Sequence, residues 1–296
     1  MAVFTNLLKF GVALAALCSV VVAQSGCGIP VDFPGQTRTF SISSSGGTRR
    51  FLVHLPSNYN PSTRTPVIVA YHGSGASATG FEPYVRFSQP AVNPNMIAVY
   101  PAGINGNWQG PTYATPGVND MVFTTDMVNY LRANFCVDES RIYAAGFSNG
   151  GGFVNTLACS RQHGGQFAAF GGVSSALYTD VSGNTNCTPA RSPLPLIQLH
   201  GYDDGTIRYE GGQGRGGPLP GILEWLSRWA TRNSCGQPTI LNEGNGVANY
   251  TWDCAGRNDA MQHYRLYPLG HNWPGPTGLV DISAEMVRFF SRHRRP

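Results

Sequence analysis

The residues with the clearest potential for chemistry are Gly146-Phe147-Ser148-Asn149-Gly150, where one serine stands close to two flanking glycines. Arg141 to Ala145, just before them, reads as a buried strand, and the segment after Asn149 can be helical up to Cys159. A G-x-S-x-G sequence between a strand and a helix is typical of a nucleophile elbow, a strained turn that exposes a serine hydroxyl. The glycines fit this interpretation, because side chains there would collide with the neighbouring strand and helix. We therefore predict that Ser148 is a nucleophile.

A serine hydroxyl needs a general base, which a histidine usually provides. The histidines that follow the serine are His163, His200, His263, His271 and His293. His163 comes too soon after the elbow, His293 stands in the basic tail, and His263 lies inside a strand pattern. His271 directly follows that strand in a loop, and the carboxyl ends of parallel strands are where such sheets carry their sites. His271 is the predicted base.

The acid that orients the base should lie between the serine and the histidine in the chain. The strand pattern Leu196–Leu199 leads into a loop that contains Asp203 and Asp204. Either carboxylate could accept a hydrogen bond from the imidazole and fix its tautomer. Asp253 and Asp259 are weaker alternatives, because they flank a cysteine and a turn. Spacing alone does not separate Asp203 from Asp204.

Ester or amide hydrolysis also requires hydrogen-bond donors for the tetrahedral oxyanion. The elbow offers the backbone N–H of Asn149, and the second donor should come from the loop after an early strand. The sequence Tyr71-His72-Gly73-Ser74-Gly75-Ala76 is such a loop. We assign the second donor to the backbone N–H of Ser74, although an ordinary glycine-rich turn would look the same.

These residues have to be positioned by strands that alternate with helical patterns. The predicted strands are Arg50–His54, Val67–Tyr71, Met96–Tyr100, Arg141–Ala145, Phe167–Gly171, Leu194–Leu199 and His263–Tyr267. The predicted helices are Phe123–Phe135, the segment after Asn149, Ile222–Thr231 and Ile282–Arg292. This alternation predicts an α/β fold with a mostly parallel central sheet and helices on both faces. The Gly-rich stretch Gly211–Gly217 is predicted to be a surface loop.

The N-terminal residues have the features of a secretory signal. Lys9 is followed by an apolar run and by small residues at Val21-Val22-Ala23, and the run is too short to span a bilayer. We therefore expect a signal peptide over residues 1–23, an extracellular location and one catalytic domain over residues 24–296. Lys9 is the only lysine, so the exported chain could not form a Schiff base.

The cysteines indicate disulfides rather than a metal site. Removal of Cys18 with the signal leaves six of the seven cysteines, an even number in an exported chain. No CxxC pair and no cysteine–histidine cluster is present, so zinc is not expected. The scattered arginines form no basic stripe, which argues against a nucleic-acid partner. The sequons at Asn186 and Asn249 allow glycosylation.

Four motifs occur in a fixed order: His72–Gly75, Gly146–Gly150, His200–Asp204 and Gly270–Pro274. In this order the chain resembles the fungal feruloyl esterases of type B and D, related to the polyhydroxybutyrate-depolymerase and LpqC-like esterases of the α/β-hydrolase superfamily. The resemblance covers nearly all of the chain from Cys27 onward. It implies that Asp204 is the acid and that no metal or cofactor is used. It also implies the disulfides Cys27–Cys136, Cys159–Cys187 and Cys235–Cys254.

The resemblance implies hydrolysis of feruloyl and related hydroxycinnamoyl esters, either as small esters or on arabinoxylan and pectin of the plant cell wall. No carbohydrate-binding module is expected in this chain, nor a membrane partner, and we expect a monomer. Trp108 and Trp273 stand near the predicted site and could stack on a phenolic ring.

Three other functions fit parts of the pattern. An acetylxylan esterase or a depolymerase of short polyesters would need the same three residues, so the motifs do not separate them from a feruloyl esterase. A secreted carbohydrate-binding protein without catalysis would usually have lost one of the three, and here all are present. A lipase is disfavoured, because no strongly apolar lid segment interrupts the chain.

Overall fold

In the computed structural model, one large sheet extends through the molecule; Met1, residues 25–181 and residues 186–296 are described. Its strands are β1 Thr37–Ser44, β2 Gly47–His54, β3 Thr65–Tyr71, β4 Ile97–Pro101, β5 Val137–Phe147, β6 Ala169–Val173, β7 Leu196–Gly201, β10 Thr239–Gly244, β11 Val247–Cys254 and β12 Arg257–Leu266. The strands β8 Gly212–Gly214 and β9 Gly217–Leu219 form a separate hairpin. The helices are α1 Ala78–Val85, α2 Asp120–Asn134, α3 Asn149–Ala158, α4 Arg161–Gly164, α5 Ile222–Arg232 and α6 Ile282–Ser291.

The strand order is β1-β2-β4-β3-β5-β6-β7-β12-β11-β10. The six central strands, β4 to β12 in this order, are parallel, whereas the pairs at both flanks are antiparallel. The predicted α/β-hydrolase fold is therefore confirmed, with a parallel centre and antiparallel flanks that the alternation of elements did not indicate. The stretch Gly211–Gly217 is not an irregular loop, because it contains most of the β8–β9 hairpin.

Helices cover both faces of the sheet, which explains why the inner strand β3 is almost entirely apolar. All seven residues of β3 are buried. Val67 and Val69 pack on the side of α2, α3 and α5, whereas Ile68 and Ala70 pack on the side of α1 and α6. Because successive side chains point to opposite faces, only a strand covered on both sides carries such a continuous apolar run.

The six cysteines form the three disulfides implied by the resemblance. They are Cys27–Cys136, Cys159–Cys187 and Cys235–Cys254. The first joins the segment before β1 to the junction of α2 and β5, and the third joins the segment after α5 to β11. Among the described residues, no helix has the length and apolar character needed to cross a membrane. Apart from Met1, the predicted signal peptide lies outside the described residues.

Buried histidines make the stability of this fold sensitive to acid. Burial lowers the pKa of His263 to about 3 and that of His293 to about 4, both from an ordinary value of 6.5. Such a histidine binds fewer protons in the folded than in the unfolded state. Its contribution to the free energy of unfolding therefore decreases as the pH falls from 6.5 toward the folded pKa.

We expect the free energy of unfolding to fall between pH 6.5 and pH 4, by at most about 1.4 kcal/mol per pH unit for each such group. In a His293→Phe variant, a ring still packs on Phe289, which lies 4.4 Å from the His293 ring centroid to centroid. Urea unfolding at several pH values would measure this. The free energy of unfolding should change less steeply with pH in the variant than in the unaltered protein. Equal slopes would show that His293 does not titrate differently on unfolding.

Candidate active site

Ser148 stands at the turn between β5 and α3. Its backbone has φ 52° and ψ −117°, values that L-residues rarely adopt and that match the first central residue of a type II′ turn. A methyl group on Gly146 would meet the carbonyl oxygen of Gly150 at 2.4 Å, and one on Gly150 would meet that of Tyr71 at 2.1 Å. Only glycine at both positions lets the strand, the turn and the helix approach this closely.

His271 lies between the serine and an acid. Its Nε2 is 2.9 Å from Ser148 Oγ, and its Nδ1 is 2.8 Å from Asp204 Oδ2. Because Nδ1 faces a carboxylate, it carries the proton, and Nε2 can accept the proton of the serine hydroxyl. The structure thus brings these three predicted residues together. Asp203 points to solvent, whereas Asp204 is buried, so the geometry distinguishes the two aspartates that spacing left open.

Both oxygens of the Asp204 carboxylate accept hydrogen bonds. Oδ1 accepts from the backbone N–H groups of Thr206 and Ile207, at 2.9 and 2.8 Å. Oδ2 is 3.3 Å from His200 Nε2 in addition to its bond with His271. Burial alone would raise the pKa of Asp204, but the hydrogen bonds from His200, His271 and Ile207 outweigh burial and hold this pKa well below its usual range. The acid is therefore ionised at neutral pH and keeps His271 in one tautomer.

The predicted oxyanion residues lie on two sides of Ser148. Asn149 is the first residue of α3, and backbone N–H groups at a helix start have no partner within the helix. The loop after β3 reaches the serine, because a methyl group on Gly73 would lie 3.5 Å from Ser148 Cβ. Ser74 Oγ donates to Asn107 Oδ1 at 2.6 Å and accepts from Arg215 Nη2 at 2.9 Å, which fixes the loop. Arg215 lies in the β8–β9 hairpin, and the sequence did not identify it.

The buried side chain of His72 also holds the loop after β3 in place. Burial lowers the pKa of His72, so the ring is neutral. Its Nδ1 donates to the carbonyl oxygen of Gly73 at 2.8 Å, and its Nε2 accepts from the backbone N–H of Gly103 at 3.1 Å. With this carbonyl held by the ring, the loop keeps one conformation beside Ser148. The histidine of the motif His72–Gly75 therefore orients the backbone rather than transferring protons.

The predicted stacking role of Trp108 and Trp273 is wrong for both residues. Trp108 is 0% exposed and Trp273 is 3% exposed, so neither ring face is available to a ligand. Trp108 instead connects the elbow to the loop after β3: its backbone pairs twice with the side chain of Asn149, and its Nε1 donates to the carbonyl oxygen of His72. Trp273 donates from Nε1 to Ser283 Oγ. The positions of these residues along the loops could be read from the sequence, but not the side of each loop that faces the core.

Other aromatic residues line the space in front of the serine. A cleft of about 520 Å³ opens beside Ser148 and His271, and Phe81, Tyr84 and Phe147 form much of its wall. The Phe147 and His271 ring centroids are 4.9 Å apart. The Tyr84 hydroxyl donates to Asn272 Oδ1 and accepts from the backbone N–H of Trp273, which ties α1 to the loop that carries His271. Sequence reasoning missed these residues, although Phe147 lies inside the G-x-S-x-G motif.

A Ser74→Ala variant tests whether Ser74 acts through its backbone or through its hydroxyl. The substitution keeps the backbone N–H but removes the hydrogen bonds with Asn107 and Arg215. We expect kcat to fall by about 10-fold or less, with KM little changed, because the loss of one complete oxyanion donor costs roughly 10²–10³ in kcat. Steady-state kinetics would measure this. A loss near 10³-fold would instead make the hydroxyl itself the donor.

The remaining predicted positions can also be located. Asn186 is exposed and Asn249 is half-buried on β11, so Asn186 is the more accessible of the two sequons. Among the residues that the structure describes, one group has potential metal ligands close together, formed by Cys159, Asp180 and Cys187. The two sulfurs are joined in a disulfide, so this group does not fit a metal ion.

Known proteins resemble this chain in both sequence and fold. Feruloyl esterase B of Piromyces equi is 30% identical over 219 residues, which are 70% of this chain and 40% of the relative, so the chain spans less than half of that protein. Feruloyl esterase D of Neurospora crassa is 30% identical over 208 residues, 66% of this chain and 67% of the relative. The solved structure of an acetyl xylan esterase from Aspergillus awamori superposes with a TM-score of 0.62 at 17% identity, covering 86% of this chain and 99% of that one.

The similarity to the solved structure concerns the fold alone, and this chain has the fold of the α/β hydrolases. The Esterase family model matches residues 42–237 of the 296, a region that includes Ser148 and Asp204 and ends before His271. A match over well over half of the chain, together with the named relatives, establishes that the chain belongs to the Esterase family and is a carboxylic ester hydrolase.

Proposed function

We propose that this protein is a secreted carbohydrate esterase that hydrolyses feruloyl and related hydroxycinnamoyl esters of plant cell-wall polysaccharide. The observation that carries the proposal is the position of His271, within hydrogen-bond distance of both Ser148 and Asp204 at the mouth of an aromatic cleft. The names of the two feruloyl esterase relatives support the acyl group. The disulfides support export, since such bonds persist in oxidising compartments.

The reaction would proceed through an acyl-enzyme. Ser148 Oγ attacks the ester carbonyl carbon while His271 Nε2 takes its proton, and the backbone N–H groups of Ser74 and Asn149 stabilise the oxyanion. His271 then gives the proton to the sugar oxygen, and the bond between this oxygen and the acyl carbon breaks. A water molecule then loses a proton to His271 and attacks the carbonyl carbon of the acyl-enzyme. The bond from this carbon to Ser148 Oγ breaks, His271 returns the proton to Oγ, and the hydroxycinnamic acid leaves. Asp204 stabilises the imidazolium in both halves.

The cleft supports an aromatic acyl group. The half-buried Phe147 presents apolar surface to the cleft, and Tyr84, which is 40% exposed, adds a ring with a hydroxyl. Burial raises the pKa of Tyr84, which keeps this hydroxyl protonated. A volume of about 520 Å³ is ample for a planar phenylpropenoyl group, since ligand pockets typically measure about 300–1,000 Å³. An acetyl group would leave most of this space unfilled.

The test is a comparison of initial rates on methyl ferulate, methyl caffeate, p-nitrophenyl acetate and a hydroxybutyrate oligomer. We expect the highest kcat/KM on the two hydroxycinnamates. Turnover confined to the acetyl ester would favour an acetylxylan esterase, and turnover confined to the oligomer a polyester depolymerase. An inactive protein that still binds polysaccharide would favour the non-catalytic binding protein.

A further inference from the structure

A second concave surface, which the proposed reaction does not use, lies on the side of the molecule that carries the acid loop. It is a groove of about 500 Å³, bounded by Tyr202, Arg265, Tyr267 and the turn between β10 and β11. None of the residues that line it belongs to the cleft beside Ser148. We refer to it as the tyrosine groove.

The sheet register places the tyrosine groove on the edge that carries the active site. Val247, at the start of β11, pairs with Leu266, at the end of β12. The β10–β11 turn therefore lies at the carboxyl end of β12, the end that leads to His271. Between β5, which carries Ser148, and β12 there are three strand spacings, which amount to about 14 Å. The groove is therefore on the order of 15–20 Å from Ser148 along the same edge.

The same two loops carry the groove and the active site. Tyr202 precedes Asp204 by two residues, and Tyr267 precedes His271 by four. The backbone N–H of Tyr202 donates to the carbonyl oxygen of Leu266, and the backbone N–H of Tyr267 donates to the carbonyl oxygen of Gly246. These bonds hold the backbone of both tyrosines at the sheet edge, where it borders the groove.

The chemistry of the groove suits a sugar ring, which has an apolar C–H face and a rim of hydroxyls. Tyr202 is 46% exposed and Tyr267 is 56% exposed, and their ring centroids are 6.3 Å apart at an interplanar angle of 74°. The rings thus form two walls of a corner. The Arg265 guanidinium carbon lies 5.6 Å from the Tyr202 ring centroid. The exposed side chains of Asn242 and Asn245 add amide donors and acceptors.

We propose that the tyrosine groove is a distal binding site for the saccharide chain of a polymeric ester substrate, a proposal that rests on the proposed function. His271 must give its proton to the sugar oxygen, so the sugar half of the ester lies on the side of the His271 loop. A chain that continues along the sheet edge from there reaches Tyr267 and Tyr202. The acyl group occupies the cleft on the other side, between α1 and Ser148.

A protein partner fits this surface less well. A stable protein interface buries about 800 Å² on each partner, usually over a rather flat surface. The groove is instead a concavity within the size range of small-ligand sites. Exposed tyrosines with neighbouring amide and guanidinium groups supply apolar contact and hydrogen bonds within that small area.

Binding is tested without turnover by electrophoresis of the Ser148→Ala protein in native gels that contain soluble arabinoxylan. We expect the polysaccharide to retard this protein, and Tyr202→Ala or Arg265→Gln, each added to it, to weaken the apparent affinity about 5- to 10-fold. Tyr202→Phe should retain the retardation. Leu241→Ala is the matched control, because Leu241 is 55% exposed on β10 but its neighbour Asn242, not Leu241 itself, lines the groove.

No retardation of the Ser148→Ala protein, or equal retardation of all variants, would overturn the proposal. Release of the protein by free ferulate would also overturn it, in favour of a product site. The gel does not depend on turnover, so its result is separate from a failure of the proposed function, which methyl ferulate kinetics would reveal.

Kinetics then test whether the groove serves the reaction. With Ser148 intact, Tyr202→Ala and Arg265→Gln should lower the ratio of kcat/KM on feruloylated arabinoxylan to kcat/KM on methyl ferulate about 5-fold, through KM for the polymer. An unchanged ratio would contradict a distal saccharide site. An equal loss on both substrates would in addition indicate an effect of Tyr202 on the adjacent acid loop.

Discussion

Ser148→Ala is expected to lower kcat on methyl ferulate by a factor on the order of 10⁵–10⁶ and to leave the fold intact. The hydroxyl is the attacking atom in the proposed reaction, and no neighbouring side chain can replace it without moving the elbow. A residual rate above the uncatalysed reaction should remain, because the oxyanion donors and the cleft are unchanged. Single-turnover and steady-state assays with the purified variant would measure the loss.

A second variant at the same position separates chemistry from stability. Ser148 holds φ 52° and ψ −117°, a conformation that glycine adopts freely and alanine does not. Ser148→Gly should be as inactive as Ser148→Ala but more stable, by roughly 1–3 kcal/mol in the free energy of unfolding. Activity retained in both variants would remove Ser148 from the proposed mechanism.

Site residues could be predicted from the sequence where the elements that position them lie next to them in the chain. The G-x-S-x-G motif follows a strand and precedes a helix within a few residues, so Ser148 and the start of α3 could both be read from the pattern. His271 could be found by the same reasoning, because it lies in the loop that follows the last strand.

The helix α1, which carries Tyr84, was not predicted because its own sequence disfavours it. It contains Gly80 and Pro83, and both lower helix propensity. The helix is held by the Ser77 cap and by packing of Phe81 and Val85 on the sheet, contacts that depend on the tertiary fold. Only the Ser77 cap has a signal in the sequence.

The β10–β11 hairpin, by contrast, has a signal that could have been used. Asn245 and Gly246 both have positive φ values, 49° and 84°, as a type I′ turn requires. An Asn-Gly pair between two strand-like runs is the strongest short-range indication of a hairpin. Identifying it would have placed two antiparallel strands beside β12, and with them the wall of the tyrosine groove.

Whether Asp203 or Asp204 acts as the acid depends on burial and on His200, neither of which spacing determines. His200, at the end of β7, is fully buried, and its Nε2 donates to the carbonyl oxygen of Ile207 at 2.8 Å. A nitrogen that faces this carbonyl and the Asp204 carboxylate must carry a proton. The histidine of the motif His200–Asp204 therefore supplies a fixed donor for the Asp204 carboxylate.

Substitution of the two neighbouring aspartates gives the sharpest test of this assignment. Asp204→Asn should reduce kcat/KM by about 10⁴-fold. All four contacts of the carboxylate are donors: the N–H groups of Thr206 and Ile207 on one oxygen and those of His200 and His271 on the other. An amide must turn its NH₂ group toward one of these pairs of donors. Facing the histidines, it deprives His271 of its acceptor or its tautomer, and facing Thr206 and Ile207, it leaves their N–H groups without an acceptor. In both orientations the negative charge that stabilises the imidazolium is lost.

Asp203→Asn provides the matched control one residue away. The Asp203 side chain is exposed, so its replacement should change kcat/KM by less than about 3-fold and leave the free energy of unfolding within about 0.5 kcal/mol. Asp204→Asn should also cost about 1–3 kcal/mol of stability, because buried donors lose their acceptor. The two kinetic effects are independent of the substrate, so the comparison holds for any ester the protein cleaves. A large loss in Asp203→Asn with none in Asp204→Asn would place the acid on the exposed residue and refute the hydrogen-bond arrangement described for His271.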